Sequence, residues 1–374
     1  MYYVALRMLL GDTTKFLALV FGLTFSTTLI VQQGAIFTGL MWRTASNVAR
    51  IPQVDIWVMH PATRYYDEHK AIEDTALQRV RGVDGVEWAE RMYVGAGTAR
   101  LPDGSFASLQ IVGVDRDSKL GLPAIYQAGG PEGIEQPDGV LFDNFDTKIY
   151  AGIQPGDVLE INERRALVTG LICGPRTFQS SPAIYTTYER ALDYSPGERK
   201  RLTFVLVKAK PGYDKHTVVR NIQETTGLGA KTTEEFAWGT LFFYFRNTGI
   251  PINFGITLFL GLVVGIAIAG QTFFTFIVEN TKHFGALKAM GVSNFKLVRM
   301  VLLQALTVGL MGWGLGVGLA AASGMSGGPR SNLAFLLTPQ LLLISVVLML
   351  LTVLLAAFIS ILRVIRIEPA IVFR

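Results

Sequence analysis

Few residues in this chain of 374 are placed to do covalent chemistry. The single cysteine, Cys173, is followed by Gly174 and Pro175 and has no evident base beside it in sequence. The histidines, His60, His69, His216 and His283, are scattered, and no CxxC or Cys/His spacing suggests a metal. Asp115, Asp117 and Asp143 could form a catalytic carboxylate pair, but solvated turns and strand ends explain such residues as well. No GxxxxGK[ST] phosphate loop, GxSxG elbow or HExxH helix is present. The reading is therefore of a non-catalytic chain with no catalytic or metal residues. What stands out is a polar stretch, Glu279 to Arg299, carrying Lys282, Lys288, Lys296 and Arg299.

That stretch separates two apolar runs, Gly255 to Val278 and Met300 to Ala322. Neither contains Asp, Glu, Lys or Arg. As helices of ~23 residues, each would extend ~35 Å and cross a bilayer. A further run from Phe16 to Trp42 follows Arg7 and Lys15, and another runs from Pro339 to Leu362 before Arg363, Arg366 and Arg374. The first is too long for a signal-peptide core and is read as an uncleaved helix. Cations flank the spans on one side, whereas the short loop 323–338 holds only Arg330. The positive-inside rule then places both termini and the central link in the cytoplasm. Gln271 and Gln304 are the notable polar groups in the second and third spans, so an ion-coupled transporter is disfavoured. Small residues (Gly22 and Ser26 in the first span, Gly261, Gly265 and Ala269 in the second, Gly312 and Gly316 in the third) would let helices pack closely.

Between Arg43 and Gly249 the composition becomes that of a globular α+β domain. Strands are expected at Asp55–Met59, Tyr93–Leu101, Phe106–Val114, Asp157–Ile161, Ala166–Cys173 and Thr203–Lys208, with turns at Pro102-Asp103-Gly104 and Asn162-Glu163. Helices are expected at Glu68–Arg81 and Tyr213–Thr225. Thr232 with Glu235 forms a possible capping box. An aromatic run follows, Phe236, Trp238, Phe242, Phe243, Tyr244 and Phe245. It is either a path for a lipid-like substrate or an interfacial belt on the first helix. Gly249 and Pro251 should break the chain before the second span.

The expected architecture is a membrane α-helical protein of four transmembrane helices with a large extracytoplasmic α+β domain between helices 1 and 2. Its parts are residues 1–42 (cytoplasmic start and first span), 43–249 (outer domain), 250–278, 279–299 (cytoplasmic segment), 300–322, 323–338, 339–362 and 363–374 (cytoplasmic tail). The net charge of +5 comes with no basic face interleaved with aromatics, so nucleic acid is not a partner.

This order of parts, with an ExxxxxGxLKAxG segment at Glu279 to Gly291, resembles the FtsX-like, MacB-type ABC permease superfamily. The wording LKAMG and, at Gln32 to Leu40, QQGAIFTGL is most similar to the DevC branch, and the closing RIEPAIVFR with Pro369 is similar to the family's inner tail. The chain departs from MacB in having no fused ATPase. The resemblance implies a homodimer in the bacterial cytoplasmic (inner) membrane, docked on a separate cytoplasmic ABC ATPase dimer. ATP and Mg would be bound there and not by this chain. It implies a periplasmic adaptor and an outer-membrane tube, and export of a lipid-like or other amphipathic substrate. It also assigns ATPase coupling to Thr281, Lys282, His283, Phe284, Gly285, Ala286, Leu287, Lys288, Ala289, Met290 and Gly291. On this reading Phe284, Leu287 and Met290 are presented to the partner beside Lys288, and Lys288→Glu or Gly285→Trp uncouples without unfolding. The family also contains regulators of cell-wall hydrolases of the FtsX type and lipoprotein-release permeases of the LolC/LolE type, which remain alternatives.

Overall fold

The computed structural model describes residues 2–101, 103–143, 152–173, 182–195, 197, 201–326 and 334–365, with the side chains of Ile359 and Arg363 excepted. The chain divides into two compact units, Met1–Leu40 with Gly249–Arg374, and Met41–Thr248.

The first unit opens with α1 (Tyr2–Gly11) and α2 (Thr13–Ala49). After the second unit the chain returns in α7 (Ile250–Glu279), α8 (Thr281–Ala289), α9 (Asn294–Ser326) and α10 (Pro339–Ile365). Helices α2, α7, α9 and α10 are long and apolar enough to cross a membrane. Several boundaries differ from the sequence expectation. The helix of the first span continues past Trp42 to Ala49, and the third begins at Asn294 and ends at Ser326, well outside 300–322. These extensions propagate a helix already nucleated, at the cost of no new helix start. Arg330, Arg366, Pro369 and Arg374 lie outside the described residues. An unanticipated helix, α1, is held by Gln304, whose Nε2 donates to the Ala5 carbonyl (2.8 Å).

The small residues sit where α2, α7 and α9 meet. A Cβ on Gly22 would fall 2.4 Å from Ile268, and one on Gly265 would fall 2.4 Å from the Ser26 hydroxyl. Ser26 Oγ donates to the Gly261 carbonyl (2.7 Å). Gly312 abuts Leu23, Gly316 abuts Thr24 and Thr27, and Ala269 is buried with Leu19, Leu23 and Phe273. Close approach here replaces the hydrophobic drive that lipid cannot supply.

The second unit is a mixed α/β domain. Its elements in order are β1 (Ile56–Met59), β2 (Ile72–Glu73), α3 (Ala76–Arg81), β3 (Val86–Arg100), β4 (Phe106–Val114), β5 (Tyr126–Ala128), a short 3-10 helix (Pro131–Glu135), β6 (Gly139–Asp143), β7 (Val158–Ile161), β8 (Arg164–Ile172), β9 (Ala183–Thr187), α4 (Tyr188–Asp193), β10 (Arg201–Leu202), β11 (Phe204–Ala209), α5 (Lys215–Thr226), β12 (Gly229–Thr232) and α6 (Thr233–Asn247). One sheet runs β12-β1-β11-β3-β4-β9-β6-β8-β5, with β7 pairing β3 and β8; β2 and β10 form a separate pair. The pairs β4/β9 and β6/β8 are parallel. Both faces of the central strands are covered. Ile56, Val58, Val205 and Val207 face a core with α3 and α5, while Trp57, Met59, Phe204 and Leu206 face another with Phe236 of α6. Strands buried on both sides lose the alternation that marks a half-buried strand.

The helix expected at Glu68–Arg81 is cut down to Ala76–Arg81. Ile72 and Glu73 pair instead with Leu202 and Arg201, so strand pairing overrides local helix preference. The Asn162-Glu163 turn is present with both residues at positive φ, the geometry of a tight hairpin, and Asn162 is secured by donating to the Tyr194 carbonyl (2.8 Å). Pro251 falls in the first turn of α7, where proline is tolerated, so the chain breaks before it and no helix is kinked by it.

Candidate functional site

The polar stretch holds the end of α7, all of α8 and the start of α9. Asn280 ends α7 and starts α8, and its Nδ2 donates to the Phe276 carbonyl (2.9 Å). At the other end, Val292 N–H donates to the Leu287 carbonyl (3.1 Å) and Gly291 N–H to Lys288 (3.0 Å). Gly291 has φ +86°, so this is a Schellman stop that needs glycine. A nine-residue helix between two such breaks would be marginal alone and must be held by packing.

Phe284 provides that packing. It is fully buried, in a cluster with Ala5 of α1, Phe276 and Ile277 of α7, Leu297, Met300 and Val301 of α9, and Val364 of α10. Gly285 is buried beside it, Leu287 is half-buried against the same cluster, and Thr281, Ala286 and Lys288 are also half-buried. Lys282, His283, Ala289, Met290 and Gly291 are exposed, Met290 at 73%. This corrects the expectation that Phe284, Leu287 and Met290 share one presented face. Positions 281, 284, 285 and 288 follow the helical repeat and turn inward together, leaving Met290 on the outer edge. Lys288 Nζ donates to the Ile365 carbonyl at the end of α10 (2.9 Å), a cation on a helix C-terminus. Lys288→Glu and Gly285→Trp would therefore disturb the seat, contrary to the expectation from sequence.

The surrounding charge is cationic. Lys15 binds Asp12 (2.6 Å) and also pairs with Glu279, which ties the start of α2 to the end of α7. Arg299 lies over the Phe295 ring (4.9 Å). At the opposite end of this unit Leu336 N–H bonds the Ala35 carbonyl (3.0 Å), and the Phe37 and Phe254 rings are 5.4 Å apart. Among the described residues 34–40, 249–255 and 334–340 there is no Lys or Arg, whereas the α8 end carries Arg7, Lys15, Lys282, Lys288, Lys296 and Arg299.

The other residues singled out by chemistry do not assemble into a reaction centre. Asp115 pairs with Arg91 (3.0 Å) and accepts from the Asp117 backbone (3.0 Å), an Asx turn. Asp143 is buried at the end of β6. Cys173 is half-buried, and Gln127 Nε2 reaches its Sγ (2.8 Å). Among the described residues no group of His, Cys, Asp and Glu could hold a metal. The half-buried His69 ring is desolvated, which lowers its pKa to about 4. Burial raises the Asp67 carboxyl above its ordinary range, against a hydrogen bond from Tyr244 Oη (2.7 Å).

The aromatic run divides by side of α6. Phe236 packs on Trp57 and Phe204, and Phe243 stacks on Tyr65 at 3.8 Å. Trp238, Phe242 and Phe245 are exposed. Thr232 and Glu235 form the full capping box that starts this helix.

Four apolar helices with a mixed α/β domain between the first and second in chain order define a polytopic membrane protein. Its helical part is more specific: residues 255–369 match the FtsX-like permease C-terminal family. No curated protein matches the chain. Among solved structures, the periplasmic region of MacB from Actinobacillus actinomycetemcomitans is 15% identical, with TM-score 0.39, covering 51% of this chain and 94% of that one. The extracellular domain of the noncanonic ABC-type transporter YknZ from Gram-positive bacteria is 14% identical, with TM-score 0.35, covering 48% and 98%. A domain of a permease protein from Porphyromonas gingivalis is 15% identical, with TM-score 0.33, covering 48% and 89%. Likenesses at this level carry no function across.

Proposed function

We propose that this chain is the permease subunit of an ABC-type exporter, and that α8 is where a separate ATPase delivers its motion. The carrying observation is the seat of Phe284. Because the ring is enclosed by α1, α7, α9 and α10, a push on the exposed edge at Lys282, His283 and Met290 displaces helix ends and cannot be absorbed by a loose loop. The cationic rim suits an acidic docking surface. The concentration of Lys and Arg at this end favours its lying in the cytoplasm, with both termini, and the domain between α2 and α7 outside. ATP and Mg then belong to the ATPase pair. A homodimer in the inner membrane, working with a periplasmic adaptor and an outer-membrane tube, would use this motion to export a lipid-like or amphipathic substrate.

Sidedness tests the proposal. In a Cys173→Ser background, a single cysteine is placed at His283 or at Phe106. A membrane-impermeant maleimide should label Phe106→Cys in intact spheroplasts, and His283→Cys only after permeabilisation. Labelling of both from one side would leave α8 with no motor to meet.

A further inference from the structure

A cavity of about 460 Å³ opens in the second unit, within the ~300–1,000 Å³ range of small-molecule sites. Its wall is made by the last turn of α2 (Asn47, then Arg50 and Ile51) and by the loop from Ser118 to Ile125. The loop is folded to serve as a wall. Lys119 and Gly121 both have positive φ, Lys119 N–H bonds the Asp115 carbonyl (3.0 Å) and Leu122 N–H bonds Lys119 (3.3 Å). Leu120, Leu122, Ile125, Met92 and Ile51 supply its apolar lining.

Two polar groups of this cavity, on Asn47 and Arg50, are uncommitted. Asn47 is 7% exposed, yet its Oδ1 has no hydrogen-bond partner. Arg50 lines the same space, and among the described residues no carboxylate lies within ion-pair distance of it. Lys119 is already paired with Glu135, so Arg50 is the cation available. Glu135 is taken up by Lys119, and Asp143 is buried at the end of β6. Tyr66 and Tyr185 close the floor. An apolar lining with one unpaired guanidinium at its edge fits a molecule with an acyl chain and an anionic head.

We infer that the cavity between Asn47–Ile51 and Leu120–Ile125 binds a single-chain anionic amphiphile, with Arg50 on its head and Leu120, Leu122 and Ile125 along its chain. Binding of this kind does not depend on the ATPase or on the coupling role of α8. A failure here leaves the exporter reading standing, and the reverse also holds.

The test uses the full-length protein in nanodiscs of neutral lipid and a medium-chain fatty acid carrying a photoreactive group. Crosslinks mapped by mass spectrometry should fall at residues 120–125. They should drop about tenfold with the methyl ester of the same probe and about tenfold with Arg50→Gln, the loss of one charge-assisted contact. Ala124→Trp, which fills the cavity while leaving the charge, should also abolish them. Equal labelling by acid and ester, or unchanged labelling of Arg50→Gln with its thermal melting preserved, would overturn the assignment. So would competition by an anionic diacyl phospholipid as strong as that by the unlabelled fatty acid. If Arg50→Gln melts early, Ala124→Trp decides: labelling that survives it overturns the site, and labelling lost from it with normal melting supports it.

Discussion

Replacing Phe284 with alanine should separate the seat of α8 from its outer edge. The ring has no exposed surface and touches four other helices, so its removal leaves a cavity that the bundle can only partly close. Phe→Ala at such a site costs about 3–5 kcal/mol. Part of that figure is transfer from water, which is reduced where the unfolded reference stays in lipid, so about 2–4 kcal/mol is expected here. Met290→Ala, with 73% of its side-chain-bearing residue exposed, should cost under ~0.5 kcal/mol. The measurement is unfolding of the purified full-length protein in mixed micelles, followed by helical circular dichroism, alongside ATPase stimulation after reconstitution with the motor subunit. Phe284→Ala should lose stability and stimulation together. Met290→Asp should lose stimulation at least tenfold with stability intact. Should Phe284→Ala unfold as the parent does, α8 is not seated by that ring. Should it keep full stimulation as well, force does not pass through the seat.

Other outcomes follow from single contacts. Gly316→Val should lower stability by about 1–3 kcal/mol, because a Cβ there meets Thr27 at 2.7 Å and the Thr24 carbonyl oxygen at 2.9 Å, whereas Gly314→Ala, with open space around it, should be silent in the same melt. Thr232→Ala removes the capping box of α6 and should cost about 1 kcal/mol in thermal unfolding of the full chain. His69 has its pKa depressed to about 4, against an ordinary value near 6.5. Its contribution is fully present above pH ~6.5 and is lost as pH falls toward ~4, roughly 3 kcal/mol in all; His69→Gln should flatten stability across that window.

The membrane helices were legible because apolar length is a crude and strong signal, and the Thr232/Glu235 cap because two side chains at fixed spacing satisfy one helix end. The central strands were harder. Ala183–Thr187 and Gly139–Asp143 are buried along their whole length, so neither shows a period, and both went unread. The stretch from Glu68 carried helix-forming residues, but Glu68 is held by Arg64 and Lys70, and Ile72 is drawn into a strand by Leu202, a partner 130 positions away. Asn47 and Arg50 gave no sign at all in sequence. What makes them a pair is the loop at 118–125 folding over them.

The segment Glu279–Arg299 shows the same limit from the other side. Composition located it, and a pattern of apolar residues beside Lys288 suggested a surface offered to a partner. Helical geometry alone allows two assignments for such a pattern: outward to a partner, or inward to the bundle. The choice rests on Ala5, Phe276, Met300 and Val364, which are spread over the length of the chain and converge on Phe284 only in the fold. Inward packing strengthens the case for force transmission. A ring offered to solvent would give the partner affinity, whereas a ring locked among four helix ends makes α8 move as part of them. A helix that swung on its two breaks would dissipate the same push within Asn280 and Gly291.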